Sequence, residues 1–514
     1  MPHRAHGRIR FPHLQSLQGI MAHYRKLVAL ALVLGLAACS DPVTVSESEP
    51  ALTLRKSQPI LLDAQSLTDR YLVMYRQGEL PREVADRVAE LGGAVELTDA
   101  TLGFAAVSGL TPSQAADLLR LESVSYVEPE IALHIPEPVA QLSTRQADAS
   151  IDSPEAPETA FFFPLQWHHR AISAPAAWDA GKLGSSEVTV AILDTGLDYG
   201  HLDLIGLVDL SRSIDLIGEA DSIAKYFGGG HHPIADLNFH GTHVGTTVSS
   251  NAFVNAGVTS QTTLIGVKVC NMRGSCPLGA VLAGVRWAAD NGAHVANISI
   301  GGSFSKSELA RSGFPGINAL INRTTNYAHT NGTLLVVAAG NAARNLDRDR
   351  DTYAIYCDAP NALCVSATGP TGAPDAGGQF PNIDAPAPYT NYGRSAIDVA
   401  APGGTAADQV GGSTFVWQGC SRFTLLYAFA QPSPTDPPVQ APCASSNTFT
   451  IGSIGTSMAA PHASGLAALL AAEAGMHPAQ IRARIQQGAD DLGQPGTDPF
   501  YGKGRINVAR SLGL

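Results

Sequence analysis

Residues 188–194 read VTVAILD, an apolar run with little alternation between apolar and polar positions. Such a run suits a strand covered on both faces, as in a parallel sheet. TTLIGVKV (262–269), AHVANISI (293–300) and TLLVVAAG (333–340) repeat the pattern. Between them GAVLAGVRWAADNG (279–292) and GINALINRTTNYAHTNG (316–332) read as helices, each closed by glycine. Strand–helix alternation predicts an α/β fold: a three-layer sandwich around a mainly parallel central sheet. In such sheets functional residues lie beyond the carboxyl ends of the strands, and Asp194 ends the first run.

Outward from that core, the 514 residues leave room for more than one domain. With 45% hydrophobic and 15% charged residues the chain is globular, neither disordered nor coiled-coil. A formal net charge of −12 argues against a nucleic-acid partner, which calls for a basic excess. Near the N-terminus, Arg25 and Lys26 precede an apolar run from Leu27 to Ala38. That length is short for a membrane span and suits a signal-peptide core. Residues 1–38 are therefore read as a signal peptide, with Met21 the better-shaped start. Its end, LAAC, resembles the lipobox of bacterial lipoproteins, in which Cys39 carries the lipid; Ser40 behind it leans towards the outer membrane. The other six cysteines are Cys270, Cys276, Cys357, Cys364, Cys420 and Cys443, an even number that implies disulfides in an exported chain. Nearest-neighbour pairing, 270–276, 357–364 and 420–443, is the simplest of fifteen connectivities. No two of them stand in C-x-x-C spacing, which argues against zinc on cysteine.

Residues 39–66 read as a lipid-proximal tether. Residues 67–135 form a small unit with strands in YLVMYRQG, GFAAVSGL and SVSYVEPE. Val84, Val88 and Leu91 share one helical face, and Thr111, Pro112 and Gln114 supply the cap, first residue and capping box of a second helix. The order matches a ferredoxin-like α+β pattern. Residues 136–160 read as a linker open to proteolysis, and residues 161–514 as the α/β domain.

Three stretches carry chemistry: DTG around Asp194, HGTHVGT (240–246) with His243, and GTSMAAPHASG (455–465) with Ser457. A serine becomes nucleophilic when an imidazole takes its proton and a carboxylate orients the imidazole. Small residues around Ser457 admit a substrate backbone, and Pro461 is read as lying in the first helical turn, where N–H groups lack partners. Taken singly, the aspartate is equally a helix cap, the histidine a structural residue or half of a His240–His243 metal pair, and the serine a turn residue.

Together and in this order, DTG, HGTHVGT and GTSMAAPH resemble the three signatures of the subtilisin-like serine proteases, the subtilases, over most of residues 165–514. The resemblance implies that Asp194 orients His243, that His243 is the general base and that Ser457 attacks a peptide carbonyl. VVAAGNAA (336–343) resembles the segment whose asparagine, here Asn341, donates to the oxyanion. NISIGG resembles the strand that pairs with substrate. It assigns Ser299, Ile300 and Gly301 to substrate binding, with Ala338, Ala339 and Gly340 on the opposite wall of the primary pocket. Residues 67–135 resemble the inhibitory propeptide of such enzymes, cut off within 135–160. Implied partners are peptide or protein substrates, the chain's own propeptide as inhibitor, and a membrane through the lipid on Cys39 before processing. The precursor then belongs to the cell envelope and the mature enzyme to the periplasm or exterior. Catalysis requires no cofactor. A structural calcium ion remains open: Asp203 matches one ligand, but residues 251–262 contain no acidic partner. DRDRD (347–351) reads as a solvated loop. Insertions around 211–236 and between Gly404 and Asn447 depart from the family pattern. The rival reading is a catalytically silent, lipid-anchored binding protein on the same fold. No G-x-S-x-G or H-E-x-x-H motif supports an esterase or a metalloprotease.

Overall fold

The computed structural model describes residues 65–135, 141–146, 156–305, 315–348, 351–408, 411–425, 442–446, 448–473 and 475–514. The signal peptide, Cys39, nearly all of the tether, much of the 136–160 linker and the centre of the Pro-rich insertion lie outside the described residues.

The first unit comprises β1 (Gln65–Tyr75), α1 (Arg82–Glu90), β2 (Ala94–Asp99), β3 (Phe104–Ser108), α2 (Pro112–Asp117) and β4 (Val124–His134). Its strands order as β2-β3-β1-β4, every neighbouring pair antiparallel, which is the ferredoxin-like layout. Val84 and Val88 are buried against the sheet. Thr111 and Gln114 close the capping box around Pro112.

Beyond it, the sequence-derived linker contains a strand, β5 (Gln141–Gln146). Two short helices, α3 (Trp167–Ala171) and α4 (Ala174–Asp179), lead into the main sheet. That sheet is built from β6 (Thr189–Asp194), β7 (Ile214–Asp215), β8 (Thr263–Lys268), β10 (Val295–Ile298), β12 (Leu334–Ala338), β14 (Ala362–Thr368) and β15 (Val399–Pro402). The order is β15-β14-β12-β10-β6-β8-β7, with all pairs parallel. Every residue of β6, β10, β12, β14 and β15 is buried, the physical reason these strands read as unbroken apolar runs.

Alternate residues feed opposite layers. Ala191 and Leu193 pack with α7 (Leu278–Asp290) and α8 (Pro315–Thr330). Val190 and Ile192 pack with α6 (His240–Val248), α9 (Thr456–Ala472) and α10 (Pro478–Gly488). Helix α9 is buried on all sides from Thr456 to Ala471, so its Ala-rich sequence reflects close packing rather than an amphipathic face. Smaller sheets flank the sandwich: β11 (Ser303–Ser305) with β13 (Thr352–Ala354), and β16 (Val416–Gly419) with β17 (Phe449–Ser453) and β5.

The small unit docks through buried carboxylates at helix N-termini. Glu128 accepts from Gly316 and Ile317 N–H at 2.8 and 2.7 Å, and Glu130 from Gly279 N–H at 3.0 Å. Helix N-termini leave exactly such donors unpaired, and their dipole favours negative charge. Burial nevertheless pushes Glu128 up to about 7, and Glu130 also upward. Arg286 on α7 donates to buried Asp99 at 2.8 Å.

Cysteines pair 270–276, 357–364 and 420–443, the nearest-neighbour scheme. The two insertions meet: Ile223 of α5 (Ala220–Phe227) and Ala235, with Leu237 just beyond the first insertion, pack with Phe423 and Leu425 of the other.

Candidate active site

Asp194 is the last residue of β6, beyond which the sheet's carboxyl edge opens. Its Oδ1 accepts from Thr195 N–H at 2.8 Å and lies 2.8 Å from His240 Nδ1. His240 is the first residue of α6. Glycines permit the approach. A Cβ on Gly241 would stand 2.1 Å from the Gly196 carbonyl oxygen, so the turn after β6 and the start of α6 touch backbone to backbone.

His243 is elsewhere. Its Nε2 lies 3.0 Å from the Val416 carbonyl of β16, and the ring is fully enclosed. Burial pushes it down to about 3, a neutral core imidazole. The expectation that His243 meets Asp194 is therefore corrected to His240. Three residues along a helix rise about 4.5 Å, which carries His243 away from the sheet edge and into the core.

Asp236, which the sequence reading passed over, holds this corner. Its buried carboxylate accepts from Thr195 Oγ1, from the N–H groups of Asn238, Phe239 and Thr242, and from Thr242 Oγ1, at 2.7–3.1 Å. Phe239, immediately before His240, has φ 116°, a left-handed value costly for a bulky residue. Its N–H on Asp236 and its packing against Cys420, Cys443, Phe449 and Ile451 hold it there. Lys268, paired in register with Asp194, is fully buried and bonds the Ala235 carbonyl and Glu219, both on the 211–236 insertion.

Ser457 is the second residue of α9. Its Oγ donates to the Ser299 carbonyl at 2.9 Å, while Ser299 Oγ donates to the Ser457 carbonyl at 2.8 Å. This exchange also corrects the reading of Pro461. That proline lies inside α9, past the first turn. The N–H it lacks is the one that would bond Ser457 C=O, and Ser299 takes that carbonyl instead. Among the described residues no hydrogen bond joins Ser457 to His240.

Asn341 Oδ1 accepts from Thr456 N–H at 2.9 Å and Thr456 Oγ1 at 2.8 Å. Those bonds orient the amide, leaving Nδ2 as the group near Gly455, where an added Cβ would lie 3.3 Å from it. Ser299, Ile300 and Gly301 follow β10; Ala338, Ala339 and Gly340 end and follow the adjacent β12. Asn391 Nδ2 donates to the Ala339 carbonyl at 2.9 Å and braces that second segment.

The cleft end of β4 runs between two backbones. Leu133 pairs with Cys276 and His134 with Ser275 in β9 (Ser275–Pro277), Ile135 N–H bonds the Gly274 carbonyl at 2.9 Å, and His134 bridges Gly301 in antiparallel sense.

The model of the subtilase family, peptidase S8, matches residues 185–504. The chain belongs to the subtilase family. Thermitase from Thermoactinomyces vulgaris is 29% identical over 359 residues, covering 69% of this chain and 99% of the relative. An alkaline protease from Alkalihalobacillus alcalophilus is 27% identical over 467 residues, covering 90% of this chain and 97% of the relative. Among solved structures, the epidermin leader peptide processing serine protease from Staphylococcus aureus aligns with TM-score 0.63 at 20% identity, covering 86% of this chain and 97% of that one. Fervidolysin from Fervidobacterium pennivorans aligns with TM-score 0.60 at 21% identity, covering 90% and 62%. This subtilase is a serine endopeptidase by that kinship.

Asp203, the residue that matches one calcium ligand, is fully buried. Its buried oxygens accept from Val254 N–H, Asn255 N–H and Asn255 Nδ2 at 2.8–3.1 Å. Calcium needs six to eight oxygens, whereas this subtilase turns N–H donors onto the carboxylate. In DRDRD, Asp347 accepts from Ser395 N–H and Oγ at 3.0 and 2.6 Å, a loop brace.

Proposed function

We propose that this subtilase is an exported zymogen that hydrolyses peptide bonds through Asp194, His240 and Ser457. The observation that carries the reading is the 2.8 Å contact of His240 Nδ1 with Asp194 Oδ1 at the carboxyl end of β6. A proton held on Nδ1 by the carboxylate leaves Nε2 bare, the state in which imidazole can act as a base. Thr195 N–H, 2.8 Å from the same Oδ1, fixes the carboxylate that would stabilise the imidazolium. The Ser457 hydroxyl rests on the Ser299 carbonyl. A substrate N–H arriving at that carbonyl competes for it and frees the hydroxyl to turn towards His240. The Asn341 Nδ2 and the Ser457 N–H then receive the oxyanion, one such donor contributing about 3 kcal/mol.

Residues 67–135 act in this reading as an inhibitory propeptide. Support comes from Leu133–Ile135, which lie against 274–276 and Gly301 as an extended substrate would, by strand addition. The signal peptide and the lipid on Cys39 complete the proposal, so that the precursor is held at the envelope and the cut enzyme leaves its anchor.

The test is the intact mass of wild type and Ser457→Ala, expressed side by side with export intact. The expected result is a wild type that starts within 135–160 beside a mutant that retains residues 67–135. Equal processing of both, with no other protease present, rejects self-cleavage. Two unprocessed and inactive proteins favour the catalytically silent binder.

A further inference from the structure

Behind the Ser457 helix stands a group of histidines that acyl transfer does not use. His168 and His169 lie on α3 and His462 on α9, each with 0% relative exposure. Each offers a ring nitrogen, and the three nitrogens lie within 4.8 Å of one another. A neutral imidazole has one N–H and one lone pair. Backbone carbonyls decide which nitrogen carries which. His462 Nδ1 is 2.8 Å from the Met458 carbonyl, so Nε2 is bare. His169 Nε2 is 2.8 Å from the Ala256 carbonyl, so Nδ1 is bare, and that Nδ1 is buried without a partner. His168 Nδ1 sits 2.8 Å from His462 Nε2 and donates to it. The Trp417 carbonyl approaches the His168 ring without closing a well-formed hydrogen bond to Nε2. Gln418, whose Nε2 is 3.4 Å from His169 Nε2, adds a buried Oε1 that is also unpartnered.

We propose that His168, His169 and His462 form a transition-metal site, best matched to zinc. His169 and His462 rest their outer N–H groups on carbonyls, as zinc ligands do: the carbonyl sets the tautomer, fixes the ring and raises its basicity. Tetrahedral zinc with Zn–N of about 2.0–2.1 Å separates ligand nitrogens by about 3.4 Å. The 2.8 Å His168–His462 pair opens by a fraction of an ångström, and no nitrogen starts more than 4.8 Å from another. His168 joins by moving its proton from Nδ1 to Nε2, on the side of Trp417, with no net proton gained or lost. The ion ties α3 to α9, five residues past the nucleophile. It therefore braces the helix that carries Ser457 without touching substrate.

The test uses the purified full chain, stripped with a chelator and equilibrated with zinc. The expected result is one tightly held zinc per chain, a Tm that rises with zinc, and the intense visible absorption of four-coordinate cobalt when Co2+ replaces it. His169→Gln keeps a donor for the Ala256 carbonyl but loses the ligand, and should abolish all three signals while the circular dichroism stays native. No retained metal, or metal that His169→Gln retains equally, overturns the proposal. Should that variant not fold, X-ray absorption of the cobalt-loaded wild type decides. Three imidazoles in the shell uphold the site, and a shell dominated by oxygen overturns it.

Discussion

His240 and His243 stand three positions apart on one short helix, and only the first meets the carboxylate. Substitution should separate their roles. His240→Ala is expected to lower kcat/KM by about 10^4-fold or more with little change in Tm. His243→Gln is expected to cost about 1–3 kcal/mol of stability, through the loss of a buried, hydrogen-bonded ring, while kcat per folded molecule stays near wild type. Active-site titration with a serine-directed inhibitor, beside urea unfolding, measures both; the reverse pattern would return the base to His243. On the proposed mechanism Asn341→Ala should lower kcat by about 10^2–10^3-fold with KM nearly unchanged, because the amide would then act on charge that exists only in the transition state. A KM effect of equal size would make Asn341 a ground-state binding residue instead.

Among the elements, β4 bears the most consequence, since it links the small unit to two helices and to the cleft. Glu128 is raised to about 7 by burial, against about 4.3 for a free glutamate. A carboxyl raised on docking binds more protons docked than free. Docking is therefore most favoured below about 4.3 and weakens as pH rises through about 7, by up to about 1.4 kcal/mol per pH unit for each proton. In Ser457→Ala, resistance of residues 67–135 to an added protease should fall over that window. Glu128→Gln, which cannot titrate, should flatten the dependence and weaken docking at every pH, since one helix N–H then faces an amide NH2. An unchanged pH profile would mean that the two N–H bonds keep Glu128 ionised throughout.

For the molecule as a whole, acid is the predicted weakness. Burial depresses His243 to about 3 in the folded state, whereas an unfolded histidine titrates near 6.5. Between those values the unfolded chain binds the extra proton. The stability contribution is thus complete above about 6.5 and is lost as pH falls towards about 3. Urea midpoints measured down the pH scale should decline through this range, and His243→Gln should decline less steeply from its lower starting point. Parallel slopes would show that another group governs acid unfolding. The Cys420–Cys443 bridge, which closes a loop over 23 positions of sequence separation, limits unfolding at the Phe239 corner and adds about 3 kcal/mol by loop-entropy reckoning.

Much of this was legible in the chain because its information is local. Four apolar runs without alternation become β6, β8, β10 and β12, since a strand covered on both faces has no polar side to display. Thr111, Pro112 and Gln114 determine a capping box within four residues. Asp194 and Ser457 are marked by their position at a strand end and a helix start. What needed the tertiary structure was every choice between neighbours. HGTHVGT contains two histidines, and only the packing of α6 on β6 and β16 decides which faces the carboxylate. Pro461 could be judged only once Ser299 was seen to take the carbonyl it frees. Asp236 has no signature, because its importance lies in five donors that its turn and Thr195 bring together. His462 of α9 lies nearly 300 positions from His168 and His169 of α3, and a contact of that range exists only when the sandwich has closed.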